Sequence, residues 1–489
     1  MPKDLGRGPD QRPPESASNG SQQPLVFHLD CPLKDLQKLG RLVQASDIPP
    51  FCDFKMTTFW QLTYRFILQP LLIQLIQKQS KKKPNLKEAL DGRIGLWERM
   101  DEALQNRDWN LPLLWLHAAS AGEILQAEPI MRQFEKENIQ LALSYSSVNA
   151  KRWLESGSTK LPDSVIWKDY LPIDSHLNAL KILAKLQPDA LVYVSYDLWP
   201  NLVWEAQRRG VPQFLVSALV HRGSWRHSSL IGRSLFCTIY RAMQEIAAIS
   251  AGDAQRISES YSKSTIKVIG DTRVDSVLSR RNGLNAPNLP ETWSKANILI
   301  GGSIWPADLA CLRAVLLDAL EELSELRIIL VPHEPTGEHI SEIREIFSSY
   351  PTHLWSQCQE EKFAKARVLI VDRIGILSSL YAKANVAYVG GAFTTGVHNI
   401  MEPAAFGLPI FFGPHFRNYA TAIRLVDDKL AYSVGNTNEL RSLIMPLLKD
   451  PIKAKDLGLQ ARNLLEKEAG AAQKCAELVR PFLLNSKTP

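Results

Sequence analysis

The sequence predicts an α/β protein with two Rossmann-like domains that face each other. From Leu113 onwards, short apolar runs alternate with amphipathic stretches, a pattern typical of parallel sheets covered by helices on both faces. The alternation occurs twice, on either side of an Asn-, Gly- and Pro-containing stretch near residues 270–290. A chain of 489 residues is also long enough for two or three domains of roughly 150 residues each.

Five strands are predicted in each series, because each apolar run has the length of a buried strand. The first series comprises Leu113–Leu116, Leu141–Tyr145, Ala190–Val194, Gln213–Val216 and Ile246–Ile249. The second comprises Ile298–Ile300, Arg327–Val331, Val368–Val371, Val386–Val389 and Pro409–Phe412. Apolar positions at helical spacing predict a helix over Ala307–Leu323. We expect the active site in the cleft between the two domains, at the carboxyl ends of their strands.

Residues 56–83 are predicted to contact a membrane surface. The segment is rich in aromatic and aliphatic residues, but Arg65 and several glutamines interrupt it, so it is a poor membrane span. Lys78 and the run Lys81–Lys83 follow, and such cations favour anionic lipid headgroups. The alternative is an ordinary core helix with a solvated lysine tail.

The other boundaries follow from composition. Residues 1–24 are polar, without the apolar stretch of a cleavable signal peptide. We therefore predict residues 1–55 to be a disordered or dispensable extension, with Met56 as the hypothetical native start. The N-terminal domain is predicted at 84–270 and the C-terminal domain at 271–465. A final helix within 466–489 is predicted to pack back on the N-terminal domain.

Charge and motif content exclude several function classes. Lys and Arg number 57 against 51 Asp and Glu, a net charge of +6, which is too mild to predict a nucleic-acid partner. Six cysteines without a Cys-x-x-Cys pair argue against a disulfide framework and a cysteine-based zinc site. The chain has no P-loop motif and no Asp-x-Asp, His-x-His or His-Glu-x-x-His motif. We therefore expect no catalytic metal and no cofactor.

The motif HAASAGE follows the first predicted strand and contains a candidate general base, Glu123. Ser120 and Glu123 also match a capping box, in which the serine caps the next helix and the glutamate bonds back to its amide. The functional interpretation places the carboxylate in the cleft as a base, where the small residues Ser120 and Gly122 allow close approach of a substrate. The local pattern does not decide between the two.

Asp197, in the motif YVSYDLWPN, also ends a predicted strand. Either it faces the cleft as a functional acid or it caps the next helix. The motif GGSIWPAD predicts a tight turn at Gly301 and Gly302, after which Ser303 and free helix amides could hold a phosphate.

The richest motif runs from Val389 to Tyr419 and holds Gly, His, Asn and Glu residues in one loop. Glu402 at the start of a helix is suited to accept hydrogen bonds from a ribose diol. Helix capping is the alternative for Asn399 and Glu402.

Taken in order, these segments resemble the 3-deoxy-manno-octulosonate (Kdo) transferases of lipid A biosynthesis over about residues 56–465. The matching stretches are HAASAGE, DLWPN, GDTRVD, GGS, VPHEP, the DRIG turn and GVHNIMEPAAFGLPIFFGPH. The resemblance implies a GT-B type fold, with a lipid acceptor in the N-terminal domain and the donor CMP-Kdo in the C-terminal domain. It implies transfer of Kdo to a lipid A precursor with inversion and without a metal, at the cytoplasmic face of the bacterial inner membrane.

The resemblance also implies roles for individual residues. Glu123 falls on the family's general base, and Asp197 and Arg273 fall on positions that stabilise the transition state. We predict substrate contacts at Ser120, Gly122, Gly302, Ser303, Pro332, His333, Ile374, Gly375, Ile376, Asn399, Ile400, Met401 and Glu402.

Three positions depart from the family pattern. His333 stands where the family has Arg, Ser195–Asp197 stands where it has Glu-x-Glu, and Ile376 stands where an acid is commoner. These departures suggest a divergent branch with an altered acceptor preference or number of sugars added. Two other classes stay open: a transferase or epimerase that uses a UDP-sugar, and a catalytically silent nucleotide-binding protein at a membrane surface.

Overall fold

The computed structural model describes residues 54–157, 160–221, 223–261, 265–357, 360–417 and 419–484. We predicted that residues 1–55 form a disordered or dispensable extension. Residues 1–53 lie outside the described residues.

The N-terminal lobe is built on a sheet of seven parallel strands. They are β1 Leu113–His117, β2 Gln140–Tyr145, β3 Val165–Tyr170, β4 Ala190–Val194, β5 Gln213–Ala218, β6 Glu245–Ala248 and β7 Ile266–Val268. Their order is β3-β2-β1-β4-β5-β6-β7. Strands β1, β2, β4 and β5 are buried along their whole length, because helices cover both faces of the sheet.

The C-terminal lobe repeats this architecture. Its strands are β8 Asn297–Ile304, β9 Leu326–Pro332, β10 Thr352–Leu354, β11 Val368–Ile370, β12 Val386–Val389, β13 Ile410–Phe412 and β14 Ala431–Ser433. All pairings are parallel, in the order β10-β11-β9-β8-β12-β13-β14. The strand order of each sheet reverses beside its first strand, at β1–β4 and at β8–β12, and ligands of such sheets bind outside the strand ends at this point.

Helices surround both sheets. In the N-terminal lobe they are α1 Phe54–Thr63, α2 Gln69–Ser80, α3 Pro84–Asp91, α4 Leu96–Leu104, α5 Ala121–Arg132, α6 Val148–Glu155, α7 His176–Leu186, α8 Pro200–Arg208, α9 Trp225–Ser228, α10 Leu230–Tyr240 and α11 Ala251–Ser258. Those that follow are α12 Thr272–Gly283, α13 Glu291–Ser294, α14 Pro306–Glu322, α15 Gly337–Ile346, α16 Glu360–Lys365, α17 Leu377–Leu380, α18 Met401–Ala405, α19 Ala420–Asp427, α20 Thr437–Lys449, α21 Pro451–Lys467 and α22 Ala471–Leu484. A π-helical turn, Tyr64–Leu68, joins α1 to α2.

The two-domain α/β fold is confirmed, and each of the ten predicted strands is present. The strands that the sequence did not predict are β3, β7, β10 and β14, which are the edges of the two sheets. Edge strands have fewer covering neighbours, so polar and exposed residues interrupt their apolar pattern. Three of the four also have only three residues.

The chain crosses between the lobes twice. The first crossing, at Gly270, leads from β7 into α12, which packs against α5; the second, at Gly470, leads from α21 into α22. Both glycines have a positive φ, of 112° and 98°, which other residues adopt at a cost. Asp275 ties the crossings together, because its carboxylate accepts hydrogen bonds from the Gly470 and Ala472 amides at 2.6 and 3.0 Å.

Helix α22 completes the core of the N-terminal lobe. Its residues Cys475 and Val479 are buried in the same apolar cluster as β1 and α5. The ring of Phe482 packs edge-on against Phe214 of β5 at 5.2 Å, and Arg480 pairs with Glu137 at 2.9 Å. Cys475 and Cys311 are free and buried, whereas Cys237 is disulfide-bonded.

Helices α1 and α2 are partly core and partly exposed. Trp60 and Tyr64 are buried in the N-terminal core, and the Trp60 indole N–H donates to Ser234 Oγ at 2.8 Å. An opposite stripe of apolar side chains is exposed, and it consists of Phe59, Leu62, Phe66, Ile67, Leu71 and Leu75. None of the described helices combines the length and apolar character needed to cross a bilayer.

Candidate active site

Glu123 lies in the first turn of α5, just beyond the carboxyl end of β1. Ser120 caps this helix, since its Oγ accepts a hydrogen bond from the Glu123 amide at 3.4 Å. Glu123 Oε2 accepts from the Ala119 amide at 2.5 Å. Hydrogen bonds from the backbone amides of Ala119 and Ser120 both lower the pKa of this carboxyl, and the second is the contact of a capping box. Its Oε1 is buried and has no hydrogen-bond partner within the described part of the chain. Capping therefore accounts for one carboxylate oxygen and not for the other.

The surroundings of Glu123 raise the pKa of its carboxyl well above the ordinary value. Burial is the main cause, since the residue is only 4% exposed, and the nearby Asp197 charge adds to it. A carboxylate with a raised pKa binds a proton more strongly than a surface glutamate does. At Gly122, in the same helical turn, an added Cβ would meet nothing nearer than Ser120 Oγ at 3.9 Å, so there is open space beside Gly122 itself.

Asp197 follows β4 and accepts several hydrogen bonds in a buried network. Its Oδ2 accepts from Trp199 Nε1 at 3.0 Å and from Ser146 Oγ at 3.3 Å, and it lies 2.9 Å from His117 Nε2. Helix α8 is capped instead by Asp174, whose carboxylate accepts from two amides of its first turn at 3.1 Å. The helix-cap alternative for Asp197 is therefore wrong.

His117 connects Asp197 to the strand β2. Its Nδ1 lies 2.9 Å from Ser144 Oγ, which also accepts from Trp115 Nε1 at 2.9 Å. In one arrangement every hydrogen bond of this chain has a donor and an acceptor: Ser144 donates its hydroxyl proton to His117 Nδ1, and His117 donates Nε2–H to the Asp197 carboxylate. The histidine is thus held as a donor to Asp197, a partner that the sequence did not single out.

Arg273 lies at the start of α12, at the first crossing between the lobes. Its guanidinium is held by Asp271, with Nη2 at 2.6 Å and Nε at 2.8 Å from Oδ2. Tyr196 of the N-terminal lobe and Tyr419 of the C-terminal lobe both influence the pKa of Arg273, which places it between the two lobes. The pKa of Tyr196 is in turn affected by the Glu123 and Asp197 charges. The three predicted catalytic residues therefore belong to one neighbourhood.

Arg226 is a further member of this neighbourhood that sequence reasoning missed. It lies on α9, is buried, and donates from Nη1 to the Tyr196 carbonyl at 2.8 Å. Its charge lowers the pKa of Glu123, against the larger effect of burial. Arg226 stands in the sequence among Ser, Trp and His without a recognisable motif, so only the fold reveals its position.

In the C-terminal lobe, Glu402 forms a half-buried ion pair that the sequence did not predict. Its Oε1 lies 3.3 Å from Arg280 Nη2. Burial raises the pKa of Glu402, while Arg280 and hydrogen bonds from Ser378 and Asn399 partly oppose the rise. Asn399 Oδ1 also accepts from the Met401 amide at 3.1 Å, but the N-cap of α18 is Ile400, which makes no side-chain cap. Asn399 therefore bonds to the first residue of the helix without being its N-cap, and Glu402 does not cap the helix either.

The glycine motif at Gly301 and Gly302 does not form the tight turn that the sequence predicted. Both residues lie within β8, paired with β9 and β12. A Cβ at Gly302 would come within 3.0 Å of Leu377 Cδ1, so the glycine is needed for close packing. Ser303, with φ of +54°, bends the strand end. Asp308 occupies the start of α14, where it accepts from the Trp305 and Gly391 amides at 3.0 and 2.8 Å.

Three aromatic rings lie at the end of β9. Trp305 Nε1 donates to His398 Nε2 at 2.8 Å with the two rings nearly coplanar, at 7°. His333 stacks on both of them with centroids 4.5 Å apart. Burial lowers the pKa of His398 to about 4 and also lowers that of His333. At neutral pH this surface is therefore uncharged.

The remaining predicted contact positions surround the same strand ends. Pro332 ends β9, and Gly375, with φ of +95°, lies in the turn between β11 and α17. In that turn Ile374 is largely exposed and Ile376 is half-buried, while Ile400 and Met401 are buried beneath the loop. Within the described residues, no group of three or more His, Cys, Asp or Glu side chains is arranged to hold a metal ion.

A small cavity of about 30 Å³ lies between α2 and the N-terminal sheet. Ser146 and Trp199, both hydrogen-bonded to Asp197, line it together with Arg93. The apolar residues that line it are Leu72, Ile73, Ile76, Leu90, Leu171, Pro172 and Ile173. This volume holds about one water molecule, so the lining between α2 and the Asp197 network is closely packed.

Comparisons with known proteins agree with this description. Residues 88–276 match the family model described as 3-deoxy-D-manno-octulosonic-acid transferase (kdotransferase). A 3-deoxy-D-manno-octulosonic acid transferase of Haemophilus influenzae is 24% identical over 88% of this chain and 99% of its own length. The enzyme of that name from Aquifex aeolicus is 25% identical over 70% and 88%. UDP-GlcNAc 2-epimerase from Neisseria meningitidis shares the fold, with a TM-score of 0.53, 13% identity and coverage of 77% and 100%.

Proposed function

The chain belongs to the 3-deoxy-D-manno-octulosonic acid (Kdo) transferase family of glycosyltransferases, and we propose that it moves Kdo from CMP-Kdo to a hydroxyl of a lipid A precursor. The reaction inverts the anomeric carbon, requires no metal ion or cofactor, and uses Glu123 as general base. The observation that carries this proposal is the Glu123 carboxyl: one oxygen is anchored to Ala119, and the other is without a described partner.

The proposed step is a single displacement. Glu123 Oε1 takes the proton of the acceptor hydroxyl as its oxygen bonds to the anomeric carbon of Kdo. The bond from that carbon to the phosphate oxygen breaks, and CMP leaves with the electron pair. The Asp197 carboxylate stabilises positive charge at the anomeric carbon, and the Arg273 guanidinium offsets negative charge on the leaving phosphate. Attack on the face opposite CMP inverts the centre.

The donor is proposed to bind at the strand ends of the C-terminal lobe. Glu402, held by Arg280, is a candidate acceptor for the ribose hydroxyls. The turn around Gly375, the uncharged surface at His333 and the end of β8 at Ser303 are further candidate contacts with CMP. The direct role of Ser303 in phosphate binding stays a prediction, and the nearby Asp308 carboxyl makes phosphate binding at the start of α14 itself less favourable.

The acceptor and the membrane are proposed to meet at α1 and α2, at the cytoplasmic face of the bacterial inner membrane. The exposed apolar stripe, in which Phe66 is 75% exposed, precedes the exposed Lys78, Lys81 and Lys82. This arrangement suits helices that lie in the headgroup region. The exposed apolar side chains of α1 and α2 would then contact the acyl chains, with the sugar of the acceptor on the side of Asp197.

The test is a comparison of donors with purified full-length protein. Mass spectrometry should show Kdo attached to the lipid A precursor after incubation with CMP-Kdo, and no product with UDP-sugars. Nuclear magnetic resonance of the product should show the anomeric configuration opposite to that of the donor. Transfer from a UDP-sugar instead, or retention of configuration, would overturn the proposal.

A further inference from the structure

Gln126 connects the helix of Glu123 to two loops of the candidate active site. It lies three residues after Glu123 on α5, on the same side of the helix, and is buried. Its amide nitrogen Nε2 donates to Asp271 Oδ1 at 3.1 Å. Its amide oxygen accepts from Ser195 Oγ at 3.3 Å. One side chain thus bonds to the loop that precedes Asp197 and to the crossing that carries Arg273.

Asp271 transmits this contact to Arg273. Besides the guanidinium, its carboxylate receives the Arg273 amide at 3.0 Å, so it fixes both the backbone and the side chain of that residue. Asp271 is buried, and burial raises its pKa, but the Arg273 charge and the hydrogen bonds, including that of Gln126, bring the pKa below its ordinary value. Without Gln126, one side of this carboxylate would face a void.

The backbone around Gln126 is held by the same group of residues. Thr272 Oγ1 donates to the Gln126 carbonyl at 2.9 Å and lies 2.8 Å from Ser217 Oγ. Ser195 and Ser217, at the ends of β4 and β5, have φ of +68° and +48°. Such conformations persist in residues other than glycine only where surrounding contacts fix them, and they cluster at functional sites.

We propose that Gln126 is a positioning residue for the transfer reaction. Through Asp271 it fixes the Arg273 guanidinium relative to Glu123, and through Ser195 it fixes the loop that carries Asp197. The inference rests on the proposed function, because Arg273 acts in catalysis only if the chain transfers a phosphate-linked sugar.

The first test replaces Gln126 with methionine, which keeps the length of the side chain and removes both hydrogen bonds. We expect kcat for Kdo transfer to fall about tenfold to a hundredfold, since hydrogen bonds to charged groups contribute on this scale, with KM for CMP-Kdo nearly unchanged. Gln133→Met is the control, because Gln133 is the exposed C-cap of α5 and its side-chain amide donates to the Pro129 carbonyl at 3.5 Å, away from Asp271 and Ser195. Equal kcat values for Gln126→Met and wild type would overturn the inference.

A double substitution separates positioning from general loss of structure. If Gln126 acts partly through Arg273, Gln126→Met should lower kcat by a smaller factor in an Arg273→Gln background than in wild type, and the remaining loss is that transmitted through Ser195. Independent, multiplied losses would show that Gln126 does not act through Arg273 and would overturn the inference.

A second variant covers the case in which methionine disturbs folding. Gln126→Glu places two carboxyls together, and they share a proton at low pH. The ratio of variant to wild-type kcat should therefore rise as the pH falls, because the new carboxyl, once protonated, again donates a hydrogen bond to Asp271. A ratio independent of pH would contradict the positioning role.

Hydrogen exchange distinguishes failure of this inference from failure of the proposed function. In Gln126→Met, amides of residues 272–274 should exchange faster than in wild type, whatever the donor substrate is. If exchange rises but wild type transfers nothing from CMP-Kdo, the proposed function fails and the positioning contact stands. If exchange is unchanged, the inference fails even when transfer by the wild type is confirmed.

Discussion

Replacing Glu123 with glutamine tests whether Glu123 Oε1 takes the proton of the acceptor hydroxyl. The amide oxygen still accepts the Ala119 hydrogen bond, so the start of α5 keeps its geometry. The amide nitrogen stands where Oε1 stood and cannot take a proton from the acceptor hydroxyl. Loss of a general base lowers the rate by about 10²- to 10⁴-fold, which corresponds to about 3–5 kcal/mol in the activation barrier. CMP binding should be unchanged, because the substitution is on the acceptor side.

The same substitution has a pH-dependent effect on stability whose sign follows from the raised pKa of Glu123. In wild type the folded protein binds this proton more tightly than the unfolded chain does. Its contribution to stability is therefore complete below the ordinary glutamate value near 4.5 and is lost as the pH rises through the folded value. Glutamine does not titrate. The Tm of the variant relative to wild type should thus increase from pH 5 to pH 8.

The assay is single-turnover Kdo transfer to a detergent-dispersed lipid A precursor, followed by mass spectrometry, together with thermal melts across that pH range. Glu128→Gln is the matched control, since Glu128 is similarly buried on α5 but pairs with Arg132 at 2.7 Å. We expect this control to transfer Kdo at the wild-type rate. Transfer by Glu123→Gln within about threefold of wild type, where a base contributes at least a hundredfold, would refute the assignment.

Three further predictions concern the donor, the Asp197 network and the membrane. Glu402→Gln should weaken CMP binding about tenfold, because Arg280 loses its charged partner and hydrogen bonds to charged groups contribute on this scale; unchanged affinity in calorimetry would contradict the donor role. Asp197→Asn should lower kcat at least about tenfold, since a charge-assisted contact is lost at the reacting centre, and an unaltered kcat would exclude it from the chemistry. Phe66→Ser with Leu71→Ser should reduce sedimentation with anionic liposomes while turnover in detergent stays constant; undiminished sedimentation would show that this face does not bind lipid.

The fold could be predicted because its central strands are buried on both faces. Runs such as Ala190–Val194 carry no polar interruption, and the alternation with helices leaves few arrangements other than a parallel sheet. The edge strand Val165–Tyr170 escaped because Lys168 and Asp169 break its apolar pattern. An edge strand forms because it pairs with a neighbouring strand, and the local sequence does not reveal this pairing.

The candidate site was less predictable, because its contacts join distant segments. The cap of α8 is Asp174, from the loop between β3 and α7, so a search near Asp197 gave the wrong alternative. The partner of Glu402 is Arg280, from α12, which packs against α18 but is far from it in the sequence. Motif reasoning selected residues of the right chemistry at strand ends, but it could not assign partners that only the tertiary structure brings together.

The position of α22 has a consequence for biosynthesis. The sheet of the N-terminal lobe emerges from the ribosome well before the helix that covers Phe214 and the neighbouring core. Until residues 471–484 are made, that apolar surface stays exposed to water and to other nascent chains. The N-terminal lobe can therefore complete its core only after the C-terminal lobe has been synthesised. A ribosome stalled within the C-terminal lobe would leave an incomplete N-terminal core, which is a substrate for chaperones.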